Sequence, residues 1–200
     1  MSNNLQYRRT HKAIIGAFLK LSEQRAFDQI TVQDIMDEAL VSRYTFYKHF
    51  KDKYEIAELL QDQLMEEFCT LMDRVQRESL TGKLDQMAQN ELWCQFAGSH
   101  QEFRALWNIH TDTVDLQERF RDFFRKSYLQ QMGGGDETQY RQLEADICAA
   151  VQTTLMTFFS KDLNMNTHTL GEPIREVLIN ACMYLARIES GEQIKAMLST

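Results

Sequence analysis

The residues best suited to chemistry lie between Ile30 and Lys53, in the run ITVQDIMDEALVSRYTFYKHFKDK. Arg43, Tyr44, Thr45, Tyr47, Lys48 and His49 stand together there. They make neither a nucleophile–base pair nor a set of metal ligands. They offer charge, hydrogen-bonding tips and flat apolar surface, which is the chemistry of gripping an anionic, hydrogen-bonding partner and not of breaking bonds.

Two short helices are needed to present these groups. Thr31 is a good N-cap, and Thr31-Val32-Gln33-Asp34 fits the pattern that satisfies the first free amides of a helix. Val32, Ile35, Met36 and Ala39 make one apolar face over about 32–39, and Ala39-Leu40-Val41 turns the chain. Ser42 caps a second helix over about 43–50. Val41 and Phe46 occupy the positions of a hydrophobic staple, which fixes the angle between the helices. Phe46 and Phe50, four apart, point together into a core. The opposite face then carries Tyr44 and Lys48, flanked by Thr45 and Tyr47, with Arg43 at the helix start and His49 nearer the core side. Two short helices joined by a tight turn, the second bearing such a face, form a helix-turn-helix suited to the major groove.

The rest of the chain reads as helix throughout. Of 200 residues only one is proline and eight are glycine, so long helices are possible almost everywhere. Ile14, Phe18 and Leu21 mark a first helix over 5–25. A helix over 53–79 carries Ile56, Leu59, Leu60, Leu64, Phe68, Leu71 and Val75 on one stripe, and at ~1.5 Å per residue it is roughly 40 Å long. Further helices are expected at 84–98, 101–110, 113–132 and 137–161, with the triple glycine 133–135 as a loop. Pro173 opens the last long helix. The expectation is an all-α fold. An N-terminal three-helix helix-turn-helix domain (1–53) is followed by a C-terminal helical ligand-binding and dimerisation bundle (54–200).

Charge is divided along the chain. Residues 1–53 carry nine Lys/Arg against six Asp/Glu, a net of +3, and the remainder thirteen against twenty-three, a net of −10. A mildly basic head on an acidic body suits a DNA reader joined to a separate sensor. No apolar run approaches the ~18 residues that span a bilayer, and no secretory leader is visible. Cys69, Cys94, Cys148 and Cys182 lie far apart in apolar helical patterns. Inert buried thiols are the simpler account, with a redox sensor as the alternative, and a cytoplasmic setting fits both. No phosphate-cradling loop, zinc-hydrolase signature or serine-hydrolase elbow is present, so neither an enzyme nor a cofactor is expected.

The pattern Thr-x-x-x-Ile followed by Val-Ser-Arg-x-Thr-Phe-Tyr-x-His-Phe-Lys-Asp-Lys strongly resembles the DNA-binding domain of the tetracycline-repressor (TetR) family, over roughly residues 7–57. The resemblance implies that Thr45, Tyr47, Lys48 and His49 touch bases or phosphates. It also implies that Gln33 and Arg43 approach the site and that Lys53 clamps a phosphate. With Thr31, Ser42 and Tyr44 from the pattern itself, these form the expected DNA-binding set. One departure is Leu40, where the family usually has glycine; if that position needs φ > 0, leucine costs ~1 kcal/mol. The resemblance implies a homodimer on a double-stranded operator, with a small-molecule effector whose usual action is release of DNA.

Beyond residue 60 the reading rests on composition. Trp93, Phe96, Phe103, Trp107, Phe120, Phe123, Phe124 and Tyr128 are either core or the wall of an apolar cavity. Trp93, Phe96, Trp107, His110, Phe120 and Phe124 are the expected contacts for an apolar or amphipathic effector, His110 being either a polar anchor or a hydrogen-bonded edge histidine. Ile147, Val151, Leu155, Phe158 and Phe159 on one helix, with Ile174, Val177, Leu178, Ala181, Cys182, Leu185 and Ile188 on the last, suit a four-helix dimer interface, or else an intrachain core. The competing functional reading is a helical sensor or protein-interaction adaptor that does not bind an operator.

Overall fold

A computed structural model describes residues 2–80, 92, 95–96, 98–131 and 139–161. Seven helices stand among them: α1 (Ser2–Ser22), α2 (Val32–Ala39), α3 (Arg43–Tyr47), α4 (Lys53–Leu80), α5 (Gln101–Trp107), α6 (Leu116–Gln131) and α7 (Gln139–Lys161). A short 3-10 turn, Phe27–Gln29, precedes α2. The fold is all-α; the one strand-like feature among the described residues is an isolated bridge between His110 and Asp115. The helix expected over 84–98 lies largely outside the described residues. So do the last long helix, the glycine loop, Trp93, Cys94 and Cys182.

By its contacts the chain divides into two compact units. The first joins Met1–Thr70 to His100–Leu116; the second holds the described residues of Leu71–Ser99 and those from Gln117 onward. The first unit is built on α1, whose Ile14, Ala17, Phe18 and Leu21 are buried at helical spacing. Ile35 and Met36 of α2, Phe46 and Phe50 from α3 and its following turn, and Ile56, Ala57 and Leu60 of α4 are buried with them. The segment His100–Leu116 is part of the same unit. The Gln101 side-chain amide donates to the Glu23 carboxylate at 3.0 Å, and the Arg104 guanidinium lies 3.9 Å from the same oxygen. His100 Nε2 is 2.9 Å from the Glu67 carboxylate. Phe103 and Trp107, stacked with centroids 4.5 Å apart, are both fully buried.

In the second unit Phe96, Phe120, Phe124 and Tyr128 are buried, as are Ala145, Ala149, Leu155 and Met156 of α7. Arg125 of α6 pairs with Asp146 of α7 at 2.7 Å. On α7, Leu143 and Ile147, one helical turn apart, remain exposed. The aromatics that read as one cluster in sequence are therefore shared between the units: Phe103 and Trp107 in the first, Phe96, Phe120, Phe123, Phe124 and Tyr128 in the second.

Candidate nucleic-acid interface

The interface is built from two capped helices and the turn between them. Thr31 holds the start of α2 in a reciprocal box: its hydroxyl accepts from the Asp34 amide at 3.1 Å, while its own N–H and O–H donate to the Asp34 carboxylate at 2.8 and 2.6 Å. Those bonds hold the Asp34 carboxyl below its ordinary value, since they favour the charged form. The Thr31 side chain is thus occupied in shaping the helix start.

At the other end of α2, Leu40 takes φ 54°, ψ 42°, the left-handed conformation. Its N–H donates to the Asp37 carbonyl at 3.3 Å and that of Val41 to the Met36 carbonyl at 3.0 Å. This pair of bonds is the Schellman closure of a helix, which favours glycine at the position Leu40 holds. The Leu40 side chain is 92% exposed, so burial returns little for the strain.

Ser42 then starts α3. Its hydroxyl accepts from the Thr45 amide at 3.2 Å and is hydrogen-bonded to the Thr45 hydroxyl at 2.9 Å. Regular helix runs only from Arg43 to Tyr47, shorter than the 43–50 expected. The chain tightens there: the Lys48 N–H donates to the Thr45 carbonyl and the His49 N–H to the Phe46 carbonyl, both three residues back. The turn nevertheless reaches Phe50, whose N–H donates to the Phe46 carbonyl at 3.0 Å. Phe46 and Phe50 are buried as expected and anchor the element.

The opposite face is open. Tyr44 is 72% and Tyr47 49% exposed. The Lys48 ammonium lies 4.4 Å over the Tyr44 ring, and the Arg43 guanidinium 5.6 Å from the Tyr47 ring. Each cation therefore rests on an aromatic face, and none of the ion pairs among the described residues neutralises either one. Thr45 is half-buried beneath them. Gln33, exposed on α2, donates to the Asp37 carboxylate at 2.7 Å.

Lys53 has a more structural setting than its sequence context implied. Its ammonium donates to the carbonyls of Phe27 and Ile30 at 2.8 and 2.9 Å and lies 4.4 Å over the Phe27 ring. It ties the start of α4 to the turn before α2. Burial pulls it below the ordinary lysine value, with Asp28 acting in the opposite sense.

His49 turns toward α1. Its ring stacks on Tyr7 at 4.1 Å and lies 5.6 Å from His11, which stacks on Phe50 at 4.6 Å. Neither Tyr7 nor His11 was singled out from the sequence. The signal was present, since 7, 11, 14 and 18 continue one face of α1 onto the buried Ile14 and Phe18.

The expected effector contacts are dispersed. Trp107 is in the first unit, stacked on Phe103. His110 is there too; its exposed ring is hydrogen-bonded through Nδ1 to the Asp115 carboxylate at 2.8 Å, the arrangement of an edge histidine. Phe96, Phe120 and Phe124 are buried in the second unit, with the last two rings 6.1 Å apart. Trp93 lies outside the described residues. No group of three or more His, Cys, Asp or Glu among the described residues is placed to hold a metal ion, and none of their helices is long and apolar enough to cross a membrane.

A capped helix pair with an open cationic and aromatic face defines a helix-turn-helix domain. Residues 14–60 match the family described as Bacterial regulatory proteins, tetR family, so the N-terminal helix-turn-helix region is a domain of that type. The chain is also 43% identical over 47 residues to the HTH-type dhaKLM operon transcriptional activator DhaS of Lactococcus lactis subsp. lactis (strain IL1403). That match covers 24% of this chain and 25% of the relative, so the two are similar over about a quarter of either length.

Proposed function

We propose that the chain is a sequence-specific DNA-binding transcriptional regulator working in the cytoplasm, a homodimer on a palindromic operator whose DNA grip is released by an apolar or amphipathic small molecule. The observation that carries this reading is the face of α3. Arg43, Tyr44, Tyr47 and Lys48 stand outward on a helix held by a cap at Ser42 and by two buried phenylalanines. A five-residue helix has no stability of its own. Its capping and anchoring make sense as support for the groups it displays.

Dimerisation is supported by Leu143 and Ile147, exposed one turn apart on α7, and by the apolar stripe of the last helix in the sequence. Two heads would enter successive major grooves about one helical turn, ~34 Å, apart. An effector changes DNA affinity only by its differential affinity for the two shapes, typically about 1–3 kcal/mol. The proposed action is repression with effector-driven release. The similarity to DhaS, a transcriptional activator, favours activation as a second reading.

Gel retardation with the promoter beside the chain's own gene tests the proposal. The expected result is a dimer-sized shift that Lys48→Ala weakens. A protein that shifts neither this promoter nor random DNA is an adaptor or a sensor without an operator. A reporter behind the same promoter separates repression from activation by the sign of its response.

A further inference from the structure

Leu40 combines two features that the fold itself does not explain. It is the one described non-glycine residue with a positive φ, 54°, and its backbone holds the left-handed conformation that L-residues avoid. Its side chain is also the most exposed large apolar group among the described residues, ahead of Tyr44. An exposed leucine by itself carries no meaning, since folded proteins show many apolar atoms to water. A left-handed residue by itself is common at helix ends, where glycine adopts it without strain. Together they are a cost with no return inside the protein. Residues held in such conformations cluster where one molecule binds another.

The place of Leu40 narrows what it meets. It stands on the turn between the two capped helices, two residues before Ser42, the N-cap of α3. At ~3.6 Å of chain per residue, its Cα is within about 7 Å of that of Ser42. The N-terminal residues of a recognition helix are the ones that reach base edges. Leu40 therefore continues the exposed face of Arg43 and Tyr44 backward across the turn. On α2 the exposed Gln33 and Asp37 precede it by seven and three residues. The Asp37 carboxylate, which accepts from the Gln33 amide at 2.7 Å, makes this stripe a poor seat for a phosphate. A leucine at the rim of the major groove finds one apolar group there, the C5-methyl of thymine.

We propose that Leu40 is a specificity-determining residue whose side chain packs on the C5-methyl group of a thymine, just outside the bases read by the start of α3. The inference rests on the DNA-binding reading above and adds to it a contact that glycine at this turn could not make. Leucine and methyl leave water only in the complex, so the stabilisation missing from the free protein appears on binding. The left-handed turn is then part of the site. Stability is exchanged for discrimination at one base pair under each head.

The test uses the full chain and selection from a random duplex library, so no operator needs to be known. The parent is expected to select a thymine at one position per half-site that Leu40→Gly and Leu40→Ala do not select. Replacing that thymine by uracil removes only the methyl group. In fluorescence anisotropy the parent then loses about fourfold in affinity, the worth of one buried methyl-sized group, and both variants lose nothing. Glycine relieves the backbone strain and alanine keeps it, so agreement between the two assigns the effect to the side chain. Variants that keep the parent's preference and its uracil penalty overturn the proposal and leave the DNA reading standing. Variants weakened equally on every sequence also overturn it, since the contact then reads no base. A parent that selects no sequence overturns the proposal, and if it also binds no duplex the DNA reading falls with it. Circular dichroism checks that both variants fold. If one does not, the other carries the comparison, and a parent that uracil weakens at no selected thymine refutes the proposal without either.

Discussion

Replacing Leu40 with glycine is expected to stabilise the protein, which is unusual for loss of a large apolar side chain. Leu40 is the only described non-glycine residue with a positive φ, at 54°, and its side chain is 92% exposed. The left-handed conformation costs an L-residue about 1–2 kcal/mol that glycine avoids. Against this, glycine frees the unfolded chain and gives back about 0.4–1 kcal/mol. The loss of burial is close to nothing, since so little surface is covered. The net expectation is a gain of about 0.5–1 kcal/mol. For a protein of this size that is a rise of about 1–4 °C in Tm. Thermal unfolding followed by circular dichroism measures it, with Leu40→Ala as the control. Alanine keeps the strained backbone and removes the same side chain, so it should gain little. If glycine and alanine shift Tm equally, the effect belongs to the exposed leucine and the strain argument is wrong. If glycine lowers Tm, the Leu40 side chain makes a contact that its exposure does not reveal.

Lys53→Met removes the donor that serves the Phe27 and Ile30 carbonyls and should cost about 1–3 kcal/mol in chemical denaturation. If the same ammonium also clamps a phosphate, the salt dependence of DNA binding falls by ~0.9 in logarithmic slope; a loss of stability with an unchanged slope would make it a tether alone. Lys48→Ala should cost about 1–3 kcal/mol in operator affinity if it reads a base, and equal loss on operator and random DNA would restrict it to phosphate. Ser42→Ala should cost about 0.5–2 kcal/mol of stability through loss of the cap, and an unchanged denaturation midpoint would rule that cap out as a determinant. His49, held below its ordinary value of about 6.5, binds its proton more readily in the unfolded chain. Its contribution to stability is therefore complete above that value and lost as pH falls through it toward the folded one, an acid-side decline that His49→Gln should shallow.

Local structure around the recognition helix was legible because it is fixed by residues near one another in the chain. Thr31 with Asp34, Ser42 with Thr45, and Phe46 with Phe50 act over three or four positions, so spacing alone predicts the caps and the buried face. The possible strain at Leu40 was signalled by the family resemblance, which usually has glycine at that turn position. The cations of the recognition face were visible as residue types, and their aromatic supports lay within four positions, Tyr44 under Lys48 and Tyr47 beside Arg43.

Tertiary structure decided which distant groups meet. The family resemblance implies that Lys53 clamps a phosphate; in the structure its ammonium donates to carbonyls 26 and 23 residues earlier, because the start of α4 folds against the turn before α2. His49 reads from the helical pattern as lying nearer the core side, without saying what it meets there; α1 brings Tyr7 and His11 to it across 42 and 38 positions. The aromatic residues of the middle third share a composition and a periodicity, which say only that each is buried. Their division between two units, with Trp107 on one side and Phe120 on the other, follows from the return of His100–Leu116 onto the head. Hydrophobic burial is non-directional, so a periodic apolar stripe specifies a face without naming the surface that covers it.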